Sequence, residues 1–252
     1  MALTAAQHLS EEIERNLGLA EHIMAPGFDR RPLERLQDWQ RHRLSETYAD
    51  LWAQERYRPA CQFFIEELYG GLDFLERDRQ LERAAPIMRR LLPDYLLQAI
   101  ADAMKLQAIS IEMDLAMSEC LQSVERIDQP AYAEAYRTLG HWDQREEQIR
   151  LFDELGEILD RATNRPMVFK LARLMRGPAR AAGFGALQDF LEHGLSAFGR
   201  MGSADYFLDT LIDRETRALE AMRKGGDWPF EPWIGHGPAT DGVVQELKWS
   251  SR

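Results

Sequence analysis

Apolar residues recur at helical spacing along nearly the whole chain. Near the amino terminus, Ile13, Leu17, Ala20 and Met24 follow one another at intervals of three and four residues. Residues with this spacing share one face of an α-helix, because the helix completes a turn every 3.6 residues. Similar stripes continue to about residue 224, and no run of clean alternation indicates a sheet. The pattern predicts an all-α protein.

Prolines and glycines mark where these helices begin and end. Pro32 suits the first position of a second helix, which we expect to run to about Tyr57. Pro86 lies within the fourth stripe and is expected to kink or split it. A later helix is expected to end at Gly177-Pro178. The positions of the prolines and glycines predict a single multi-helix bundle domain of about eight to ten helices over residues 1–225.

The longest uninterrupted segment predicts the centre of the bundle. No glycine or proline occurs between Asp94 and Gln129, and apolar residues occupy most sides of this stretch. A helix that is apolar on most sides is usually surrounded by other helices. We therefore expect the segment from Asp94 to Val124 to be the central helix.

Residues 226–252 differ in composition and form a Trp/Pro-rich C-terminal arm. Trp228, Phe230 and Trp233 are too apolar for a solvated tail, and we expect them to be substantially buried. Pro229 and Pro232 favour extended backbone in the residues that precede them. The sequence predicts an ordered, extended arm, packed either on its own bundle or on a second subunit.

The charge balance excludes some partners. The 252 residues include 42 Asp and Glu against 31 Lys and Arg, which gives a net charge of -11. Such a chain repels the phosphates of a nucleic-acid duplex and the surface of an anionic membrane. We expect neither nucleic acid nor membrane among its partners.

Three features favour the cytoplasm. Cys61 and Cys120 are the only cysteines, and both lie in apolar helical patterns, so we expect buried free thiols rather than a disulfide framework. The first 24 residues form an amphipathic pattern with acidic residues throughout, unlike a secretory signal. No apolar run approaches the roughly 18 residues that a membrane span needs.

Motifs for catalysis and metal binding are missing from the sequence. None of the six histidines has an acidic residue three positions before it, as a bundle di-iron site requires. No Cys-x-x-Cys, His-Glu-x-x-His, Gly-x-Ser-x-Gly or complete phosphate-binding glycine loop occurs. We expect no catalytic residue, no cofactor and no metal, although a site of carboxylates alone stays open.

One charged cluster is a candidate pocket. Arg77 and Asp78 follow the Gly70-Gly71 turn, and Tyr69 and Asp73 lie on either side of it. These four side chains could line a polar pocket, since such pockets combine an apolar wall with a few convergent polar groups. The alternative is a solvated face, because opposite charges three and four residues apart usually form surface pairs.

The segment from Phe63 to Tyr69 reads Phe-Phe-Ile-Glu-Glu-Leu-Tyr. It resembles the motif of the bacterial FFLEELY-motif protein family, with Ile65 in place of leucine. The resemblance covers less than a tenth of the chain. It implies a helical fold and carries no catalytic residue.

These observations favour a non-catalytic protein that acts by binding. The leading hypothesis is association with another protein or with itself, as a homodimer or other homo-oligomer. The alternative is a small-molecule-binding or enzymatic bundle whose polar pocket lies near the Gly70-Gly71 turn.

Overall fold

The structure, a computed structural model, describes residues 3–65 and 75–237, and within these ranges the chain forms α-helices and no strand. Nine of the twelve helices have seven or more residues. They are α1 (Ala5–Met24), α2 (Arg31–Thr47), α3 (Ala49–Trp52), α4 (Arg58–Phe63), α5 (Leu75–Leu91), α6 (Asp94–Leu121), α7 (Gln129–Leu139), α8 (Trp142–Thr163), α9 (Pro166–Ala181), α10 (Gly185–Gly199), α11 (Asp205–Arg223) and α12 (Glu231–Ile234). The predicted all-α bundle is confirmed.

Helix α6 is the central helix. It packs against α1, α2, α7 and α8, and its buried side chains point in several directions around its axis. Ala101 and Met104 contact the layer of α1 and α5, whereas Met117 and Leu121 contact α2 and α7. The apolar surface on most sides of this segment therefore reflects its position between neighbouring helices, as predicted.

Two predicted helix ends were wrong, and of the kink or split expected at Pro86 the split does not occur. Helix α2 ends at Thr47, and the one-turn helix α3 follows, so no single helix reaches Tyr57. Helix α5 continues through Pro86, and α9 continues through Pro178. Both prolines are exposed. Water can therefore satisfy the backbone carbonyl groups that each proline leaves without a helical hydrogen bond.

The C-terminal arm packs on its own bundle as far as residue 237. Phe230 is 1% exposed, and its ring lies 6.3 Å from that of Trp39 and 6.1 Å from that of Tyr132. Trp228 and Trp233 are half-buried. The arm was predicted to be extended, but Glu231–Ile234 form one turn of helix with Pro232 near its start, where proline is tolerated. Residues 238–252 lie outside the described ranges.

The helices of the described ranges are too short or too polar to cross a bilayer.

Candidate functional site

Arg77 and Asp78, two members of the predicted pocket, form a closed polar cluster. Asp78 is fully buried and accepts hydrogen bonds at Oδ1 from Arg77 (3.0 and 3.1 Å) and at Oδ2 from Gln107 (2.8 Å). The Arg77 guanidinium also donates to the side chain of Gln107 and lies 4.7 Å from the ring centre of Phe190. Burial raises the pKa of Asp78, against the pull of these donors. The cluster ties α5 to α6 and α10.

The other two members of the predicted pocket, Tyr69 and Asp73, lie outside the described residues, as do Gly70 and Gly71. The pocket therefore stays a prediction. Both carboxylate oxygens of Asp78 are already engaged, so this side chain has a structural role in the described part of the cluster.

The first residue of the motif segment is part of the core. Phe63 is 9% exposed and packs against α10. A Cβ atom at Gly194 would lie 3.1 Å from Cζ of Phe63. The missing side chain of Gly194 therefore allows α4 and α10 to approach closely.

A buried polar network, which sequence analysis missed, crosses the centre of the bundle. Asp114 of α6 is 8% exposed and accepts hydrogen bonds from Gln40 (3.0 Å) and Gln37 (3.4 Å) of α2. Burial raises the pKa of Asp114, while its hydrogen bond with Gln40 and the positive charge of Arg145 oppose the shift. The sequence signal was an acidic residue between Met113 and Leu115, on a helix with apolar residues on most sides.

A second part of the network joins α2 to α11. Arg43 donates to Oε1 of Glu215 at 2.5 Å, and the hydroxyl group of Tyr48 donates to the same oxygen at 2.6 Å. The Arg43 guanidinium also lies 4.4 Å from the ring centre of Phe230. Residues 172 positions apart meet here, and no local pattern could have paired them.

Two concave regions lie beside this network. The space between Tyr136, Gly140 and Arg145 leaves no room for a water molecule. A groove of about 290 Å³ runs between α8 and α11. It is lined by Glu146, Ile149, Arg150, Asp153, Ile212, Thr216, Leu219, Glu220 and Arg223.

Metal-binding and nucleophilic groups do not converge in the described part of the chain. Within residues 3–65 and 75–237, no three His, Cys, Asp or Glu side chains are placed to hold a metal ion. Cys61 is buried, and burial raises the pKa of its thiol to about 12, which leaves it protonated and unreactive. Cys120 is partly exposed, although we expected both thiols to be buried.

The outward face of α9 is the most conspicuous surface feature. Met167 is 75% exposed and Leu174 is 73% exposed, and Leu171 and Met175 are also exposed. Their spacing of four, three and one residues places all four on one side of the helix. We call these four residues the α9 face.

The opposite side of α9 is fastened to α10. Arg176 forms a forked ion pair with Glu192, and Arg180 pairs with Asp189 at 2.8 Å. Gln188 donates to the carbonyl oxygen of Ala172 at 2.8 Å. These contacts fix the rotation of α9 about its axis, so the α9 face points away from the bundle.

The fold and its surfaces define a helical-bundle protein with a buried polar network and one exposed apolar helix face. Residues 21–229 match the family model described as "Domain of unknown function (DUF8198)", and the chain belongs to this family. Neither the curated proteins nor the solved structures include a match. The resemblance to the FFLEELY-motif family and the bacterial origin it implies stay predictions.

Proposed function

We propose that this protein acts without catalysis, by associating with a protein surface through the α9 face. The observation that carries the proposal is the exposure of four large apolar side chains on one side of a single helix. Contiguous exposed apolar patches on folded proteins usually mark interaction sites. The partner is another protein or a second copy of this chain.

The energetics favour a covered face. Burying a leucine or methionine side chain contributes roughly 1.5–3 kcal/mol relative to leaving it in water. The four side chains of the α9 face lie on a helix that α10 already holds in place, so little conformational entropy is lost when a partner docks. A fixed helix face of this kind suits helix-in-groove recognition.

The proposal takes the cytoplasm as the compartment, because the unpaired thiols of Cys61 and Cys120 suit a reducing environment. It also excludes nucleic acid and membranes as partners, because the chain carries a net charge of -11. A small-molecule pocket near the Gly70-Gly71 turn is the alternative, and the described residues add no observation in its favour.

Photo-crosslinking tests the proposal. A benzophenone amino acid replaces Leu171 in the full chain, and the cells that express it are irradiated. The matched control carries the same amino acid at Glu14, an exposed position on α1. We expect a discrete adduct from position 171 and none from position 14. The crosslinked species is identified by mass spectrometry.

A substitution at Leu174 shows whether the adduct at position 171 comes from specific docking or from chance collision. We expect Leu174→Glu to abolish the adduct, because it places a charge in the middle of the apolar face. Since Leu174 is 73% exposed, the substitution should not change the melting temperature. If position 171 gives no protein adduct, or one that persists in Leu174→Glu, the proposed function is wrong.

A further inference from the structure

We propose that the occupant of the α9 face is the groove between α8 and α11 of a second copy of this chain. This inference rests on the proposed function and names its partner. The basic residues of α9 are opposite in charge to the acidic residues beside the groove, and the groove has an apolar interior that can hold apolar side chains.

The α9 segment is basic in an acidic protein. Helix α9, residues 166–181, contains four Lys and Arg and no Asp or Glu, whereas the whole chain has a net charge of -11. Arg176 and Arg180 are paired with α10 on the inner side. Lys170 is exposed at the edge of the α9 face beside Leu174, and Arg173 is exposed further around the helix. Neither forms an ion pair with an acidic side chain of the described ranges.

The groove offers an apolar floor to the side chains of α9. Ile149 of α8 and Ile212 and Leu219 of α11 line its interior. Its volume of about 290 Å³ is enough for one or two side chains such as Leu174 and Met167, because protein interiors are packed almost as densely as organic crystals. The α9 face and the floor of the groove both expose apolar surface to water, and each could be buried by the other.

The rim of the groove carries unbalanced negative charge. Arg150 and Arg223 also line the groove, but both are already paired with glutamates. Asp153 at the rim has no basic partner among the described residues. Partial burial raises its pKa, and the nearby negative charges of Glu157 and Asp209 raise it further. Within the part of the chain that the structure describes, no basic side chain pairs with Asp153, so this rim would attract a basic helix.

Charge complementarity therefore favours a contact between α9 and the groove over a contact between two α9 helices. Packing α9 against its own copy would bring Lys170, at the edge of the face, close to its equivalent, and like charges at an interface cost binding free energy. An anionic membrane would attract α9 but would repel the remaining acidic surface. A second copy provides an apolar floor and an acidic rim together.

Two charge-reversal variants of the full chain test the contact. One variant, Lys170→Glu with Arg173→Glu, reverses the charge of α9, and the other, Asp153→Lys with Asp209→Lys, reverses that of the rim. The control, Glu11→Lys with Glu14→Lys, changes two exposed acids on α1. Solution mass is measured by light scattering over a wide range of concentrations, and circular dichroism checks that each variant is folded.

We expect the wild type and the control to form assemblies larger than one chain at high concentration. Each α9 or rim variant should weaken the assembly by about tenfold or more, because like charges then face each other. An equimolar mixture of the α9 and rim variants should recover the larger mass. In the mixture, the unchanged basic α9 of the rim variant can bind the unchanged acidic rim of the α9 variant, and the acidic α9 can bind the basic rim. Loss of folding cannot produce this recovery.

The inference fails if the wild type has the mass of one chain throughout, if the rim variant assembles like the wild type, or if the mixture stays at the mass of one chain. The wild type could have the mass of one chain and still crosslink a different protein at position 171. That result would support the proposed function and reject only the second copy as the partner. The single chain could also co-sediment with phosphatidylglycerol vesicles, and this binding could be lost in Lys170→Glu with Arg173→Glu. That result would show that the α9 face binds a membrane rather than a second copy.

Discussion

Arg43 and Glu215 form an ion pair of 2.5 Å that links α2 to α11 across the bundle. The Arg43 side chain is 6% exposed, whereas that of Glu215 is 31% exposed. Burying a charge costs free energy unless a partner of opposite charge compensates it. Glu215 is therefore a structural partner of a buried guanidinium, and the pair holds together two helices that are distant in sequence.

Removing the charge of Glu215 should destabilise the protein. We expect Glu215→Gln to lower the free energy of unfolding by about 2 kcal/mol, which is less than the loss for a fully buried pair because Glu215 is partly solvated. Urea denaturation followed by circular dichroism measures the change. Glu220→Gln is the matched control, because its pair with Lys224 is exposed and should contribute much less to stability. Equal effects of the two substitutions would contradict the structural role of Glu215.

Gly156 of α8 is required by the close approach of α11. A Cβ atom there would lie 2.4 Å from Cδ2 of Leu208 and 3.2 Å from its branch point Cγ. Leu208 is 4% exposed within a packed cluster, so moving it to make room disturbs its neighbours. We expect Gly156→Ala to lower the free energy of unfolding by about 1–3 kcal/mol.

Gly18 provides the control for this substitution. It lies in α1 with open space around it, so Gly18→Ala should stabilise the protein by about 0.5–1 kcal/mol through helix propensity alone. Thermal denaturation of both variants checks the difference in sign. If Gly156→Ala were also stabilising, the close packing of α8 on α11 would be wrong.

The raised pKa of Asp114 predicts a pH-dependent stability. The unfolded carboxyl group ionises near its ordinary pKa of 3.8, whereas the folded group keeps its proton to higher pH. As the pH rises from 3.8 through the folded pKa, the folded state therefore loses stability, by up to about 1.4 kcal/mol per pH unit. Asp114→Asn removes this titration, so its free energy of unfolding should rise relative to the wild type over that window.

Asp50 gives a control of opposite sign. Its pKa is lowered mainly by the hydrogen bond from Arg214, so the stability it contributes is present above 3.8 and is lost as the pH falls through the folded pKa. The free energy of unfolding of Asp50→Asn should therefore be lower than that of the wild type above pH 3.8, and the difference should become smaller toward low pH. Denaturation curves at several pH values measure both trends, and a constant offset between Asp114→Asn and the wild type would refute the role given to Asp114.

The C-terminal arm should stabilise its own chain. Phe230 fills a space between Trp39 and Tyr132, and we expect Phe230→Ala to lower the free energy of unfolding by about 3–5 kcal/mol. His236→Ala, at an exposed position of the same arm, should have a much smaller effect. Deleting residues 226–252 should lower the melting temperature and leave the number of chains per particle, calculated from the mass in solution, unchanged. A change in mass would show that the arm packs on a second subunit.

Much of the fold follows from the sequence because helical periodicity is local. The spacing of Ile13, Leu17 and Ala20 defines a helix face without reference to the rest of the chain, and the apolar surface of α6 indicates its central position. Helix boundaries followed less well, because tertiary packing decides whether a helix tolerates the cost of an internal proline. Pro86 and Pro178 are exposed, so water can reach the carbonyl groups that they free, and α5 and α9 continue through them.

The sequence by itself determined the helical class, the central helix and the burial of Phe230, since each depends on local periodicity and on the cost of exposing apolar surface. Only the tertiary structure decided which polar groups meet. Asp114 reaches Gln40, and Arg43 reaches Glu215, across 74 and 172 residues. The same holds for the α9 face: Met167 and Leu174 have an ordinary core pattern in the sequence. They point outward because Arg176 and Arg180 bind α10 on the other side of the helix, and burial depends on neighbours that no local pattern specifies.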